Sequence, residues 1–226
     1  MTQNQSDILK KLKEWVTARI DELMPDENIQ SSPIPNLEQE LDEAALFVLR
    51  TVPKELVYPA AINVANINLL LTNTGRGIIV CPNDFVRFLR VTMTHWRRPV
   101  DSLLNVDSMK YRKMDSKNLG ATSDNPAAAL APGIGLPNGA AYSIELAPVI
   151  KGAKASLVYV PRLKCYDVPE VLYDPLVWFT AYRILIVLRQ GDVANAAFTQ
   201  MQLAVTRQFT GLTGEEMPSI IQPPRQ

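Results

Sequence analysis

The chain has 226 residues, 47% of them hydrophobic and 20% charged, with 23 basic and 23 acidic side chains. That length suits one domain, or one domain with a sizeable insertion, and it is enough to bury a core without staples. The apolar fraction excludes a disordered chain, and the zero net charge argues against a dedicated nucleic-acid binder, which is basic overall.

Residues 6–23 place Ile8, Leu12, Trp15, Val16, Ile20 and Leu23 at three- and four-residue spacing, which predicts a helix with Ser6 as its N-cap. Pro25, Pro33 and Pro35 hold an acidic connector open. Asn36 and Gln39 stand as in a capping box. Leu37, Leu41, Ala44, Ala45, Val48, Leu49 and Val52 then continue a second helix, which Pro53 ends. Residues 54–66 read as a further short helix interrupted by Pro59. Ile67 to Thr72 and Ile78 to Val80 flank the turn Asn73–Gly77, a hairpin pattern. Leu89, Val91 and Met93 alternate with Arg90, Thr92 and Thr94, the period of a half-buried strand. Residues 97–139 hold no strong period, and 101–139 read as one long loop, which is usually functional or mobile. Ala140–Leu146 and Ser156–Val160 predict two more strands. Asp174 and Pro175 suit a helix start, and Leu176–Arg189 is apolar nearly all round, as in a central buried helix. Gly191 is the expected C-cap and Asp192 the next N-cap. A last helix then runs to Gly211. Met217-Pro218-Ser219-Ile220-Ile221-Gln222-Pro223-Pro224 is extended and partly apolar, with no local core for its isoleucines.

The fold class is therefore α+β. A helical bundle from the two ends of the chain carries an inserted antiparallel β-rich region and an extended C-terminal arm. The expected boundaries are 1–66 and 162–211 for the bundle, 67–161 for the insertion and 212–226 for the arm.

Little here points to catalysis, and no cofactor or metal site is expected. Cys81 and Cys165 form no disulfide framework and match no zinc spacing. A single histidine, His95, excludes mechanisms that need a histidine pair; it reads as a strand histidine in phase with Met93. The glycines of Pro132–Gly139 lack the Lys of a phosphate loop and the helix of a dinucleotide fingerprint. The carboxylates Asp21, Glu22, Asp26 and Glu27, and Glu38, Glu40, Asp42 and Glu43, match no calcium-loop spacing and read as solvated helix faces. Met1–Lys13 is polar, unlike a signal peptide. The most apolar stretch, Pro175–Leu188, falls short of the roughly 18–20 residues that cross a bilayer. The expectation is a soluble protein made in a reducing cytosol, with no membrane partner.

Charge is more informative. Residues 1–60 hold 11 acidic and 6 basic side chains; residues 61–120 hold 9 basic and 4 acidic. Arg87, Arg90, Arg97, Arg98, Lys110, Arg112, Lys113 and Lys117 gather in the basic third. Such a segment suits nucleic-acid phosphates, or the acidic third of a neighbouring subunit in a head-to-tail ring, or two ordinary surfaces. The unburied tail points to docking on a partner, or to simple disorder at a terminus.

The segment Cys81-Pro82-Asn83-Asp84-Phe85-Val86-Arg87-Phe88-Leu89-Arg90-Val91, continued by Trp96-Arg97-Arg98-Pro99-Val100, resembles the head-to-tail connector (adaptor) proteins of short-tailed bacteriophages. In those, a Pro-Asp-Asp-Phe-like turn feeds a strand that ends in Trp and a basic-Pro step; here Asn83 replaces the first acidic position. The Leu157–Val160 strand, Pro169, an apolar helix and the Gly191-Asp192 junction follow in similar order. Leu41-Asp42-Glu43-Ala44 fits the early helix. The long loop 101–139 suggests a larger, divergent member, similar to the ring protein below the portal in crAss-like phages. The resemblance implies a structural virion protein, not an enzyme. It implies a ring of typically twelve subunits at the head-to-tail junction, assembled in the bacterial host cytoplasm. Its partners would be other copies of itself, the portal and further tail or ring proteins, with packaged DNA passing through unread. Met217, Pro218, Ile220, Ile221, Pro223 and Pro224 would then form the portal-docking arm. Arg87, Arg90, Arg97, Arg98, Arg112 and Lys113 would face a neighbouring subunit or the channel. Two other classes remain open. One is a ligand-binding protein or enzyme with a cryptic site at Asp174, Tyr182 and Arg183. The other is a nucleic-acid module using residues 87–117.

Overall fold

The computed structural model describes residues 1–25, 36–116, 120–132, 141–217 and 221–224. In chain order the elements are α1 (Gln3–Leu23), α2 (Leu37–Thr51), α3 (Lys54–Val57), β1 (Ile62–Asn68), β2 (Leu70–Leu71), β3 (Gly77–Val80) and β4 (Phe85–Met93). Then follow α4 (Met109–Arg112), β5 (Ala127–Pro132), β6 (Tyr142–Ala147), β7 (Lys154–Pro161), α5 (Tyr173–Val187) and α6 (Gly191–Thr213). The protein is α+β. It divides into two units, one formed by Met1–Ala60 with Arg162–Gln226, the other by Ala61–Pro161.

In the helical unit, α5 packs against α6, α2 and α1. Its sequence is apolar all round because neighbours surround it; the buried hydroxyl of Thr180 donates back to the Leu176 carbonyl at 2.8 Å. Phe179 stacks on Phe47 of α2 with centroids 3.9 Å apart, and Phe198 of α6 meets it edge-on at 6.2 Å. Leu12, Val16 and Ile20 of α1 and Leu41, Ala44, Ala45, Val48 and Leu49 of α2 bury the faces that their spacing predicts.

The helix ends depart from expectation. Thr2, not Ser6, caps α1. Its hydroxyl accepts from the Gln5 amide at 3.3 Å, and the Gln5 side chain accepts from the Thr2 amide at 2.8 Å. Asn36 does sit at the N-cap of α2, but its side chain makes no capping bond, so the box with Gln39 is not formed. Asp174 lies inside the first turn of α5, whose N-cap is Leu172. Gly191 opens α6 instead of ending α5. The left-handed position belongs to Arg189, at φ +62°. The amide of Gln190 reaches the Leu185 carbonyl and that of Arg189 the Ile186 carbonyl, closing a Schellman motif. The last helix continues through Gly211 to Thr213, and Gly214, at φ +72°, ends it. The arm therefore begins after 214, not at 212.

The β unit holds two antiparallel sheets, with strand orders β1-β7-β4 and β2-β3-β6-β5. They share one core, in which Val91, Met93 and Leu157 meet Ile79, Ile144 and Leu146. Val91 and Met93 enter this core and Arg90 points outward, as the alternation predicts, whereas Leu89 is buried at a bulge between Phe88 and Arg90 and is not part of that core. Two sequence expectations change. Residues 62–66 belong to β1, not to a helix, so the insertion begins near residue 61. The long loop contains α4 and β5, the latter paired with β6 along its whole length. Leu69 alone separates β1 from β2, so consecutive strands enter different sheets. On another side Val100 bridges Val91 of β4, and Leu104 bridges Ala129 of β5.

Candidate functional site

The basic residues do not form one uniform patch. Arg87 and Arg90 lie on β4, with Arg90 on its exposed face. Arg87 lines a hollow of about 310 Å³ with Phe85, Phe88 and Leu103. Arg97 pairs with Asp124 at 2.9 Å, both largely in solvent, where such a pair contributes little. Arg98 donates to the Asn125 side-chain oxygen. Arg112 ends α4 and Lys113 caps it, both exposed. Lys117 lies outside the described residues. The structure brings Arg98 together with Lys110 at a cleft of about 670 Å³, whose other walls include Asp101, Ser102, Met114 and Asn125. That volume falls within the range of ligand sites. Five of its lining residues are polar or charged and the rest are apolar or glycine, so the cleft has no single polarity.

The β unit also holds a cluster that no local pattern announces. Arg76, in the β2–β3 turn, reaches Glu145 of β6 at 2.8 Å and Asp115 at 3.2 Å. Tyr111 donates its hydroxyl to the same Glu145 at 2.9 Å and lies under the guanidinium at 4.6 Å. Burial works against the Arg76 charge, but the two carboxylates outweigh it and hold its pKa above the ordinary value. The hydrogen bond from Arg76 in turn holds the Asp115 carboxyl below its usual range. Burial and the bond to Glu145 push the Tyr111 hydroxyl up. Arg76 Nε is buried without a partner. The partners stand 35 to 69 residues from Arg76 in sequence, which is why spacing does not reveal them.

His95 lies just past the end of β4, not within it. Its Nε2 and the indole nitrogen of Trp96 both meet the Pro148 carbonyl, at 3.0 and 2.9 Å, which fixes the ring proton on Nε2. Cys81 and Cys165 are buried thiols, pushed up to about 12 by burial, with Asp42 adding to the effect at Cys165. At ordinary pH they are protonated, which leaves them poor nucleophiles and poor ligands. Among the described residues no group of three ligating side chains could hold a metal ion, and no helix is long and apolar enough to cross a membrane.

The acidic run of α2 is not a solvated face. Glu38 pairs with Lys13 at 3.3 Å, Glu40 with Arg183 at 2.7 Å and Asp42 with Lys164 at 2.7 Å. Asp42 also accepts the Cys165 amide at 3.0 Å. These carboxylates fasten α1, α5 and the 164–167 turn to α2. Asp26 and Glu27 lie outside the described residues. The cryptic-site trio is likewise occupied: Arg183 by Glu40, Asp174 by Arg19 at 3.8 Å, and Tyr182 by packing against Phe179 and Phe198. Both cavities described above lie in the β unit.

The tail differs from expectation at one residue. Ile221 is 7% exposed, and the Gln202 side chain of α6 donates to its carbonyl at 2.6 Å. Met217 lies against Thr206, sulfur to hydroxyl, at 4.0 Å. Ile221 thus finds a local core that its sequence context does not show, because the covering helix face lies nearly twenty residues upstream. Pro223 and Pro224 are exposed. Pro218 and Ile220 lie outside the described residues. No known family model matches the chain, and no curated protein is a significant match to it.

Proposed function

We propose that this chain is a structural ring protein of a phage head-to-tail junction, resident in the virion between portal and tail. The observation that carries the reading is the coincidence of structural and charge divisions. The helical unit holds 12 basic and 17 acidic side chains, a net −5. The β unit holds 11 basic and 6 acidic, a net +5. A surface that is acidic in one unit and basic in the other is complementary to a second copy set head-to-tail, which closes into a ring when the rotation permits. The resemblance at residues 81–100, and a helical bundle built from both chain ends around a β insertion, support the same reading. Residues 215–226 would be the arm that reaches the portal, and Ile221 would leave α6 to do so.

The test is electron microscopy of the chain co-expressed with the portal protein of the same genome. A ring stacked coaxially on the portal, lost on deleting residues 215–226, is the expected outcome. A bare portal with free monomers would sink the reading. A ring without portal contact would keep the structural role but move it down the tail.

A further inference from the structure

From Ala61 to Gly75 the chain carries no charged residue. This run contains β1 and β2, the terminal strands of the two sheets. Ile62 stands in register with Tyr159, and Val64 with Leu157. Tyr159 and Leu157 are sealed in the core, and residues paired across strands project from the same face. Ile62 and Val64 therefore belong to the inward face, yet they are 41% and 36% exposed. Leu71, in register with the buried Gly77, is 56% exposed as well, while Leu70 pairs with Ile78 and projects to the opposite face. The contrast lies with β4 and β5, where Val100 and Leu104 bridge onto the sheets.

Terminal strands are usually guarded by Lys, Pro or inward charge. Here the guard is only a bulge between Val64 and Ile67, with Asn66 at φ +59°. The bulge interrupts the backbone edge, so what this face offers a partner is apolar side chains more than a continuous ladder. Two exposed lysines, Lys151 and Lys154, add to the positive charge of the β unit; Lys154 stands in register with Asn68, one step out of phase with the core residue Ala155.

We infer that the β1–β2 face, with Ile62, Val64 and Leu71 at its centre, is where a second copy of this chain docks its helical unit. Charge chooses the occupant. Two β units face to face would set +5 against +5, whereas the helical unit brings −5 to the same face. The contact is then heterologous, with a different surface on each copy. The inference rests on the ring reading for its partner, but its readout does not need the portal.

The experiment compares wild type with Val64→Asp/Leu71→Asp by sedimentation velocity, alone at high concentration and with the portal protein. Both side chains are substantially exposed, so the variant should keep the wild-type circular dichroism and melting curve. Losing the apolar centre should weaken self-association by roughly tenfold or more. Lys151→Glu/Lys154→Glu should weaken it too, and raised salt should do so in wild type. Mixing supplies the discriminating result. A variant with a dead β face still owns an intact helical unit, so it should cap wild-type chains and give short mixed oligomers. A contact of β face with β face would give no mixed species, and that result overturns the inference. So would a folded Val64→Asp/Leu71→Asp variant that assembles like wild type, or a wild type that stays monomeric both alone and with portal. Self-association through this face without portal binding would uphold the inference and end the portal reading.

Discussion

At the scale of single residues, Arg76 ties three segments of the β unit together. Its guanidinium is largely withdrawn from water, and two carboxylates and a tyrosine ring surround it. Removing it takes the guanidinium partner from both Glu145 and Asp115, so Arg76→Ala should cost about 3 kcal/mol in urea unfolding. Asp115 gives a pH signature. Its folded carboxyl titrates below its ordinary value of 3.8, because Arg76 hydrogen-bonds the charged form. The folded state thus binds fewer protons, and the stabilisation is complete above that ordinary value and lost as pH falls through the folded one. The stability gap between wild type and Asp115→Asn should be steady near neutrality and shrink below about pH 4; an equal gap at pH 3 and pH 7 would refute the pairing. The thiols make a third prediction. Cys81 and Cys165, protonated and buried, should resist a thiol-specific reagent at pH 8 until urea unfolds the chain. Rapid labelling of either in the native protein would contradict its burial. Neither the cluster nor the thiol burial was readable from spacing, since both arise from contacts between distant segments.

At the scale of elements, legibility followed the range of the forces involved. The faces of α1, α2 and β4 were readable because amphipathic period is written locally. β5 was not, because Ala127–Ala131 has high helix propensity and lacks β-branched residues apart from its pairing context. Its strand state comes from β6, which it pairs from Ala127 with Ala147 to Pro132 with Tyr142. β1 does carry an alternating signal, Ile62-Asn63-Val64, which the bulge at 65–66 breaks before the period establishes itself. The α5–α6 junction shows a subtler failure. Glycine at 191 was the natural stop signal, yet the positive φ falls two residues earlier, on Arg189. The Schellman bonds are satisfied there regardless, so the misfit is a backbone cost to the arginine. Arg189→Gly should relieve it, partly offset by the freedom glycine gains when unfolded. A net gain of about 0.5–1 kcal/mol is expected in thermal or urea unfolding. A loss of stability would mean that the arginine side chain outweighs its backbone conformation.

At the scale of the molecule, the insertion has a geometry that allows it to be removed. Ile62 lies in register with Tyr159 at the two ends of the β unit. Paired Cα atoms in an antiparallel ladder stand about 4.5–5.5 Å apart, so the chain leaves the helical unit and returns to it at nearly one point. The helical core is formed by segments from both sides of that point: α1 and α2 pack on α5, and α3 packs on α6. Replacing residues 61–161 by a short Gly-Ser linker should therefore leave a helical protein that melts cooperatively. The fragment 61–161, with its own shared core, should fold as a β protein. The shortened chain also removes about a hundred residues of loop closure, which costs the native protein a logarithmic entropy penalty. Far-UV circular dichroism and calorimetry of the two pieces decide the matter. Two cooperative transitions would establish that the −5 and +5 divisions are separate folding units. In that case each can be mixed with the other as free proteins, and salt-dependent association between them would reproduce in solution the head-to-tail contact proposed for the ring. A linker variant that is compact but melts without cooperativity would show instead that the helical core needs the β unit to hold its two halves in place.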